Sequence, residues 1–535
     1  MMPKQSIQLF DTTLRDGTQG EGICFSAEDK LRIARRLDAF GIHYIEGGWP
    51  GSNPNDLRFF EKARREHFRH ARIVAFGSTM RSGGRVEEDA NVRALLEAET
   101  PAVSVFGKSW LLHVEQALAI TPDNNLHLIR QTVAYLKAHG REVIYDAEHF
   151  FDGYKSNPGY AVATLRAAAE AGADVLTLCD TNGGSLPSEV AAIVGDVVSQ
   201  IDTPIGIHTH NDCELAVANT IVAVQNGCTL VQGTINGYGE RCGNANLCSI
   251  IPNLQLKLGY NAVPEKNMAQ LASLSHFVSE LANMAPASNH AFVGKSAFAH
   301  KGGIHVSAVM KNPETYEHIA PDQVGNERRV LVSDLSGRSN VLYKAKELDF
   351  DLDMDKETAS GIVNELKELE NNGYNYEAAD ASLDLLIRRH MGSDEPIFGI
   401  EGFRLLVEKD EANNMRSEAT IRVSVRGVTE HTAAEGFGPV HALDMAMRKA
   451  LSKFFPEIEE MQLNDYKVRV LNEQEGTRAR VRVLIDSGCK SATWGTVGVS
   501  DNIIDASWQA LMDSYAYYLH HHVEKNHNSI KQTVS

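Results

Sequence analysis

Eight short runs of β-branched and other apolar residues recur through the first half of the chain, and their regular spacing is the strongest constraint on its fold. Consecutive runs start 26 to 40 residues apart, which leaves room for a strand, a loop and a returning helix in each interval. We predict strands at Ile7–Asp11, Ile42–Glu46, Arg72–Phe76, Ala102–Phe106, Glu142–Asp146, Val175–Cys179, Pro204–His208 and Leu230–Thr234.

Helical patterns fill the intervals between these runs. Ala27–Phe40 follows Ser26, a residue type that caps helix starts, and it precedes Gly41. Ala161–Ala171 is closed by Gly172 in the same way. Eight strand–helix units in succession predict an α/β chain whose first part is a (β/α)8 TIM barrel. A doubly wound open sheet is the alternative, but it would not bring the ends of the first and seventh strands together so readily.

Polar, glycine-rich segments follow most of the predicted strands. In a barrel of this type all the strand ends meet at one rim, which carries the catalytic groups. One such segment would mean little, whereas a full ring of them is hard to explain as structure alone. The segments are Glu46–Gly51, Phe76–Arg81, Asp146–His149, Cys179–Gly184 and Gly237–Arg241.

Two motifs carry residue types that bind metal ions. They are Asp11–Gly17 after the first strand and His208–Asp212 at the end of the seventh. Barrel closure would bring Asp16, His208 and His210 onto the same rim. The two histidines share one side of a strand because strand side chains alternate with period two. A site of two imidazoles and one carboxylate suits Mn²⁺, Mg²⁺ or Zn²⁺, and the ligand types do not separate these ions.

Arg15 directly precedes the candidate ligand Asp16. A fixed guanidinium beside a carbonyl group would stabilise the oxygen as it becomes an alkoxide, an effect worth roughly 10²–10³ in rate. A salt bridge on the rim is the alternative interpretation. Together the two motifs predict a site that polarises a carbonyl compound.

Length and composition exclude several classes of protein. The chain has 535 residues, of which 43% are apolar and 23% charged, as in soluble multidomain proteins. Its formal charge of −18 argues against nucleic acid as a partner. No apolar stretch is long enough to span a membrane, and Met1–Asp11 has no apolar signal region. Seven scattered cysteines without a CxxC pair are typical of a reducing cytoplasm.

The strand rhythm stops near residue 275, so we expect a barrel over 1–275, a helical linker over 276–397 and a C-terminal α+β domain over 398–535. Leu342–Leu369 and Glu377–His390 are amphipathic helical patterns in the linker. No internal repeat is visible beyond the barrel period. In the last domain we predict strands at Glu418–Val425, Tyr466–Leu471 and Ala479–Ile485, and helices at His441–Phe454 and Asp501–His520.

Two glycine-rich segments, Gly436–Val440 and Gly495–Ser500, each precede one of these C-terminal helices. Ser500 or Asp501 is the predicted N-cap of the second helix. Free N–H groups at a helix start suit a carboxylate ligand. Simple helix capping is the alternative interpretation of both segments.

Several motifs together resemble those of a known enzyme family. They are Asp11–Gln19, His208–Asp212 and Gly239–Ala245, and they resemble the acetyl-CoA-dependent synthases of 2-isopropylmalate, homocitrate and citramalate. The resemblance covers nearly the whole chain, and Gly436–Val440 with Gly495–Gln509 resembles the regulatory domain of these enzymes.

Within this family, two segments resemble the branch whose 2-oxo acid acceptor is pyruvate. They are Glu46–Pro54 and Asp146–Tyr154; the isopropylmalate branch generally has a shorter Glu-Ala-Gly-Phe-Pro-like stretch at the first. The resemblance implies a divalent metal ion, acetyl-CoA as co-substrate and pyruvate as acceptor. It also implies feedback by a branched-chain amino acid, with isoleucine the expected effector.

The resemblance assigns roles to individual residues. The segment that carries the catalytic His and Tyr reaches into the partner's active site in this family, which implies a homodimer. The implied metal ligands are Asp16, His208, His210 and Asn244, the substrate contacts are Arg15 and Thr181, and the further catalytic residues are Glu148, His305 and Tyr316.

Rival functions share some of these features. Hydroxymethylglutaryl-CoA lyases and biotin-dependent carboxyltransferases carry similar barrel motifs but lack a C-terminal domain like Phe398–His520. A non-catalytic metal or amino-acid sensor would not need Arg15, Glu148 and His305 together. Trp49 and Phe150 are candidate walls of the substrate pocket, with packing at the rim as the alternative.

Overall fold

Eight parallel strands close into a barrel in the computed structural model, as the spacing predicted. The model describes residues 5–348, 354–392, 396–409, 411, 413–471 and 479–524. The open-sheet alternative is wrong because the first strand pairs with both the second and the eighth. The strands are β1 Gln8–Asp11, β2 Tyr44–Gly48, β3 Arg72–Ser78, β4 Ala102–Lys108, β5 Glu142–Glu148, β6 Val175–Asp180, β7 Ile205–Thr209 and β8 Leu230–Gly233.

Helices return the chain between successive strands. The first spans Ala27–Phe40 as predicted, since Ser26 and Asp29 form a reciprocal capping box and Gly41 ends it with a φ of 105°. The barrel helices are α1 Ala27–Phe40, α2 Pro54–Ala63, α3 Ala90–Glu97, α4 Pro122–Ala138, α5 Phe150–Ser156, α6 Pro158–Glu170, α7 Pro187–Gln200, α8 Ala216–Gln225, α9 Leu247–Pro252 and α10 Leu271–Leu281.

The barrel interior is built in layers. Apolar side chains fill its lower part, with one residue from each strand except β7, where Gly206 takes the corresponding place. Because strand side chains alternate, the next inward position lies two residues further along each strand. From β2 to β8 that position is held by Glu46, Phe76, Ser104, Asp146, Thr177, His208 and Gln232, all of them buried.

The chain divides into two compact units, the first being Met1–Phe298 with His318–Arg328 and the second Ala299–Glu317 with Arg329–Ser535. The division at residues 275 and 397 into three domains stays a prediction. In the second unit the elements before the C-terminal sheets are β9 Ala299–His300, α11 Gly303–Lys311, β10 Arg329–Val330, α12 Arg338–Glu347, α13 Lys356–Asn371 and α14 Asp380–His390.

The amphipathic pattern over Leu342–Leu369 corresponds to two helices. It covers most of α12 and most of α13, while 349–353 lie outside the described residues. The predicted Glu377–His390 helix corresponds to α14.

The C-terminal part contains a repeat that the sequence did not reveal. Three antiparallel strands followed by one helix occur twice, and the apolar faces of both copies share one core. The first copy is β11 Gly399–Lys409, β12 Met415–Val425, β13 Val428–Gly436 and α15 Pro439–Leu451, and the second is β14 Gln462–Val470, β15 Val481–Gly488, β16 Thr493–Ser500 and α16 Ile503–Tyr518.

Gly495–Ser500 precedes α16 as predicted, but it is not a helix start with free N–H groups, because the segment lies inside β16. Its glycines permit close packing: a Cβ on Gly498 would lie 2.0 Å from the carbonyl oxygen of Ala506 in α16. The N–H groups are not free either, since that of Gly495 donates to Asp380. The helix is capped by Asn502, not by Ser500 or Asp501.

Within the described ranges, no helix combines the length and the apolar character needed to cross a bilayer. All seven cysteines are free thiols.

Replacing Lys30 by Met should destabilise the barrel. Lys30 Nζ lies 2.5 Å from Asp56 Oδ1 and donates to the carbonyl of Gly47 at 3.0 Å, and the pair is buried. Removing one partner of a buried pair costs about 3–5 kcal/mol. We expect the urea midpoint of unfolding to fall in Lys30→Met and to stay unchanged in Lys62→Met, which breaks an exposed pair with Glu28. Equal midpoints in the two variants would contradict this account.

Candidate active site

The barrel rim gathers the three metal-ligating side chains that the sequence predicted. His208 Nε2 lies 3.2 Å from His210 Nε2 and 3.3 Å from Asp16 Oδ2. One ligand atom from each of the three residues lies within 4.8 Å of the others, and all three side chains are buried. Asp16 stands in the turn after β1 and the histidines at the end of β7, so barrel closure creates this cluster.

A hydrogen-bond chain fixes the orientation of His208. Gln232 Nε2 donates to Asp146 Oδ1 at 2.8 Å, which leaves Gln232 Oε1 to accept a hydrogen bond from His208 Nδ1, also at 2.8 Å. His208 therefore carries its hydrogen on Nδ1 and turns the lone pair of Nε2 toward Asp16. Metal-binding histidines are held by partners of this kind.

Asn244, which the family resemblance implies as a fourth ligand, lies against the cluster. Its Nδ2 donates to Asp16 Oδ2 at 2.8 Å, whereas its buried Oδ1 has no hydrogen-bond partner among the described residues. A half-turn of the amide would place Oδ1 where Nδ2 stands and give the cluster a fourth ligand atom, an oxygen. The loop comes this close because Gly239 has no side chain, since a Cβ there would lie 1.9 Å from Asn244 Oδ1.

The electrostatics of the cluster favour a bound cation. Burial acts to raise the pKa of Asp16, but the positive charge of Arg15 is the largest influence against it, a hydrogen bond from Asn244 adds to it, and the value falls to about 2. Burial and the neighbouring His208 lower the pKa of His210 to about 3. At neutral pH the cluster thus offers an ionised carboxylate and an unprotonated imidazole, the forms that bind metal ions. The residues present fit a divalent cation with nitrogen and oxygen ligands.

Arg15 is held in a fixed position next to the cluster. Its Nε donates to Glu46 Oε2 at 2.6 Å, its Nη1 lies 3.4 Å from Asp16 Oδ1, and its guanidinium stacks 3.8 Å from the ring centre of Phe76. Glu46 is fully buried, and burial raises the pKa of its carboxyl to about 8 in spite of Arg15. The guanidinium is thereby preorganised to face a developing negative charge.

Two further sets of contacts hold predicted site residues at the rim, one around Glu148 and one around Thr181. Glu148 at the end of β5 forms an ion pair with Lys108 at the end of β4. The Thr181 hydroxyl accepts the backbone N–H of His149 at 2.8 Å, and the Thr181 carbonyl accepts from Arg241 at 2.8 Å.

Two cavities open at this rim. The smaller, of about 240 Å³, is lined by six of the predicted site residues and by Trp49. The larger, of about 720 Å³, shares Trp49 and Phe106 with it. Phe150, the other proposed wall, is fully buried in the barrel core instead. The six site residues are Arg15, Asp16, Glu148, Thr181, His208 and His210.

His305 and Tyr316 belong to the second unit and are described with it. Their rings stack with centroids 4.2 Å apart, and both side chains are exposed. His305 lies in the first turns of α11.

For four polar residues of the site, no role was predicted from the sequence. Each occupies an inward position near the end of a strand that is otherwise mainly apolar, and a charged or amide side chain at such a position was the available signal. They are Glu46, Lys108, Asp146 and Gln232.

Three family models match the chain in succession. The model described as HMGL-like matches residues 6–278, the one described as homocitrate synthase post-HMGL domain-like matches 292–374, and the one described as LeuA allosteric (dimerisation) domain matches 377–519. The chain therefore belongs to the family of 2-isopropylmalate and homocitrate synthases, and it is a condensing acyltransferase.

Relatives match over almost the full length. A protein of Aquifex aeolicus named (R)-citramalate synthase is 55% identical over 96% of this chain and 98% of its own. The protein of that name from Geobacter sulfurreducens is 56% identical, with the same coverage of both chains. A protein of Methanopyrus kandleri named probable 2-isopropylmalate synthase is 30% identical over 95% of this chain and 97% of its own.

The metal-binding role of the cluster is testable by direct binding. We expect His210→Ala to weaken Mn²⁺ binding by at least roughly 10- to 100-fold, the loss seen even for groups that only support a ligand. Equilibrium dialysis with elemental analysis measures it, and His139→Ala, a change on the exposed end of α4, serves as the control. Unchanged Mn²⁺ binding in His210→Ala would remove this residue from the metal site.

Proposed function

We propose that the protein condenses acetyl-CoA with pyruvate and hydrolyses the thioester, which releases (R)-citramalate and CoA. The observation that carries this proposal is the convergence of Asp16, His208, His210 and Arg15 on the floor of one small cavity. The full-length similarity to proteins named (R)-citramalate synthase supports the choice of substrates.

The cavity floor suits a 2-oxo acid. A divalent ion held by Asp16, His208, His210 and Asn244 would act as Lewis acid and template for the keto and carboxylate oxygens. Arg15 supplies a fixed positive charge for the keto oxygen as it becomes an alkoxide, and the Thr181 hydroxyl is available to the substrate carboxylate. Lyases and carboxyltransferases remain weaker alternatives because the chain also carries the allosteric domain.

Three aromatic side chains, Trp49, Phe76 and Phe106, form one wall of the smaller cavity. The ring of Trp49 lies 5.6 Å from that of Phe76 and 5.7 Å from that of Phe106, and its indole N–H donates to Asn91 at 2.7 Å. This wall gives the cavity of about 240 Å³ an apolar side for the methyl group of the acceptor, and the similarity to proteins named (R)-citramalate synthase supports pyruvate over the branched 2-oxoisovalerate. One methylene in such a pocket is worth about 1–3 kcal/mol.

Glu148 is the base that the barrel itself supplies. Its carboxylate removes a proton from the methyl group of acetyl-CoA, and the resulting enolate carbon attacks the keto carbon of pyruvate. Arg15 stabilises the alkoxide formed on the former keto oxygen. Water then attacks the thioester carbonyl, and CoA leaves as its thiol.

We further propose a homodimer in which His305 and Tyr316 serve the partner's site. Both side chains are exposed and stacked, and exposed apolar side chains stand in the same part of the unit, with Ile304 81% and Leu335 63% exposed. Apolar surface of this kind is typical of a contact with another protein. The match to a dimerisation domain supports the same assembly.

Isoleucine is the proposed effector of the C-terminal domain, because citramalate leads toward isoleucine through 2-oxobutanoate. Inhibition requires isoleucine to favour a less active state, with a coupling of typically about 1–3 kcal/mol. Inhibition of the full chain by leucine but not by isoleucine would refute this choice.

A cytoplasmic location fits the seven free thiols.

Thiol release from acetyl-CoA with a panel of 2-oxo acids tests the proposed reaction. We expect kcat/KM to be highest for pyruvate, lower for 2-oxobutyrate and at least roughly 10-fold lower still for 2-oxoisovalerate. A higher value for 2-oxoisovalerate would make the protein a 2-isopropylmalate synthase. If no acceptor leads to release of CoA, a lyase or a non-catalytic sensor would be the remaining function.

Mixing two inactive variants tests the shared site. If Glu148 of one chain works with His305 of the partner, a mixed dimer of Glu148→Gln and His305→Ala contains one intact site. Random exchange of subunits should then restore roughly a quarter of the wild-type rate. Each variant alone is the control. Absence of recovery, with subunit exchange verified by mass spectrometry, would place both residues in the same chain's site.

A further inference from the structure

We propose that Lys108 is a catalytic residue that donates a hydrogen bond to the thioester oxygen of acetyl-CoA while Glu148 removes the methyl proton. The inference rests on the proposed function and adds to it the group that stabilises the enolate.

The register of the barrel places the two side chains together. Lys108 is the last residue of β4 and Glu148 the last of β5, and they are direct partners in the pairing of these parallel strands. Lys108 Nζ forms an ion pair with Glu148 Oε2. Glu148 is the only hydrogen-bond partner of this ammonium group among the described residues, so two of its three N–H bonds remain available to a ligand.

The pair stands where the two cavities meet. Lys108 lines the larger cavity and Glu148 the smaller one. Both cavities are also lined by Trp49 and Phe106, which marks their common border. A thioester that enters through the larger cavity and meets a 2-oxo acid in the smaller one must bring its acetyl group to this border.

Enolisation of a thioester requires this combination of groups. The C–H bond of the methyl group breaks, the proton goes to the Glu148 carboxylate, and the electron pair forms the new C=C bond. The carbonyl π pair moves to the thioester oxygen, which becomes negatively charged and accepts a hydrogen bond from the Lys108 ammonium. The methyl carbon and the carbonyl oxygen are bonded to the same carbon atom, so the base and the cation must lie close to each other.

Contacts of its backbone and of its side chain hold Lys108 in place. Its carbonyl oxygen accepts from Asn125 Nδ2 at 2.8 Å, and its ammonium lies 5.5 Å from the ring centre of Phe106. The side chain is 18% exposed, so it reaches the cavity without being free in solvent. A preorganised donor to an oxyanion is worth roughly 10²–10³ in rate.

The test compares Lys108→Met and Lys108→Arg with wild type in the full-length, Mn²⁺-loaded protein. For Lys108→Met we expect kcat for CoA release to fall roughly 10²–10³-fold, while KM for pyruvate changes by less than about 3-fold. Exchange of the acetyl-CoA methyl protons with D₂O, followed by mass spectrometry, should fall by a similar factor. The kcat of Lys108→Arg, which keeps the charge, should be at least about 10-fold higher than that of Lys108→Met.

Lys137→Met is the matched control, since Lys137 forms an ion pair with Asp174 away from the cavities. It should keep the wild-type kcat, and both methionine variants should keep the Mn²⁺ affinity and the thermal midpoint. An unchanged kcat and exchange rate in Lys108→Met would overturn the inference, as would a rise in KM for acetyl-CoA at constant kcat. A wild-type protein that releases no CoA from acetyl-CoA with pyruvate would refute the proposed function instead.

Discussion

Pairing of β1 with β8 is the interaction on which the rest of the site depends, because it closes the barrel. Gln8 to Asp11 run beside Leu230 to Gly233 in register. That pairing places Asp16 next to Asn244, which is 228 positions later in the chain, and both next to the histidines at the end of β7. An open sheet would separate the same residues and leave a buried carboxylate without its partners, at a large cost in free energy.

The layered interior explains how this barrel carries charge in its centre. An apolar layer fills the lower part, and the following inward positions carry polar groups that hydrogen-bond to one another. Asp146, Gln232 and His208 form one chain, while Glu46 and Arg15 form a second beside it. Buried charges of this kind are retained only when they are paired. The pairing fixes the positions of the groups that we propose to contact the substrate, so the same contacts would serve stability and chemistry.

Much of the barrel could be predicted from the sequence, and the reason is periodicity. All eight strands and the helix Ala27–Phe40 were confirmed, because each is a short apolar run or a capped amphipathic helix. The rim cluster could be predicted from Asp16, His208 and His210 once a barrel was assumed. Asn244 could not, since an amide in a glycine-rich loop is typical of a turn, and only the family resemblance pointed to it.

The remaining features depend on contacts that local patterns do not encode. β11 has largely exposed side chains and β13 has no fully buried one, so their apolar signal is weak. Gly495–Ser500 suggested a helix start, yet its glycines serve close packing in β16. The partnership of Lys108 with Glu148 follows from strand register alone, and no spacing along the chain reveals it.

We propose that one cation, held by the cluster at the barrel rim, is required for the condensation. Titration of metal-free protein with Mn²⁺, with bound metal and CoA release measured in the same sample, tests this claim most directly. The rate should rise in proportion to occupancy and level off at about one ion per chain. Full turnover in verified metal-free protein, or activity unrelated to occupancy of this site, would contradict it.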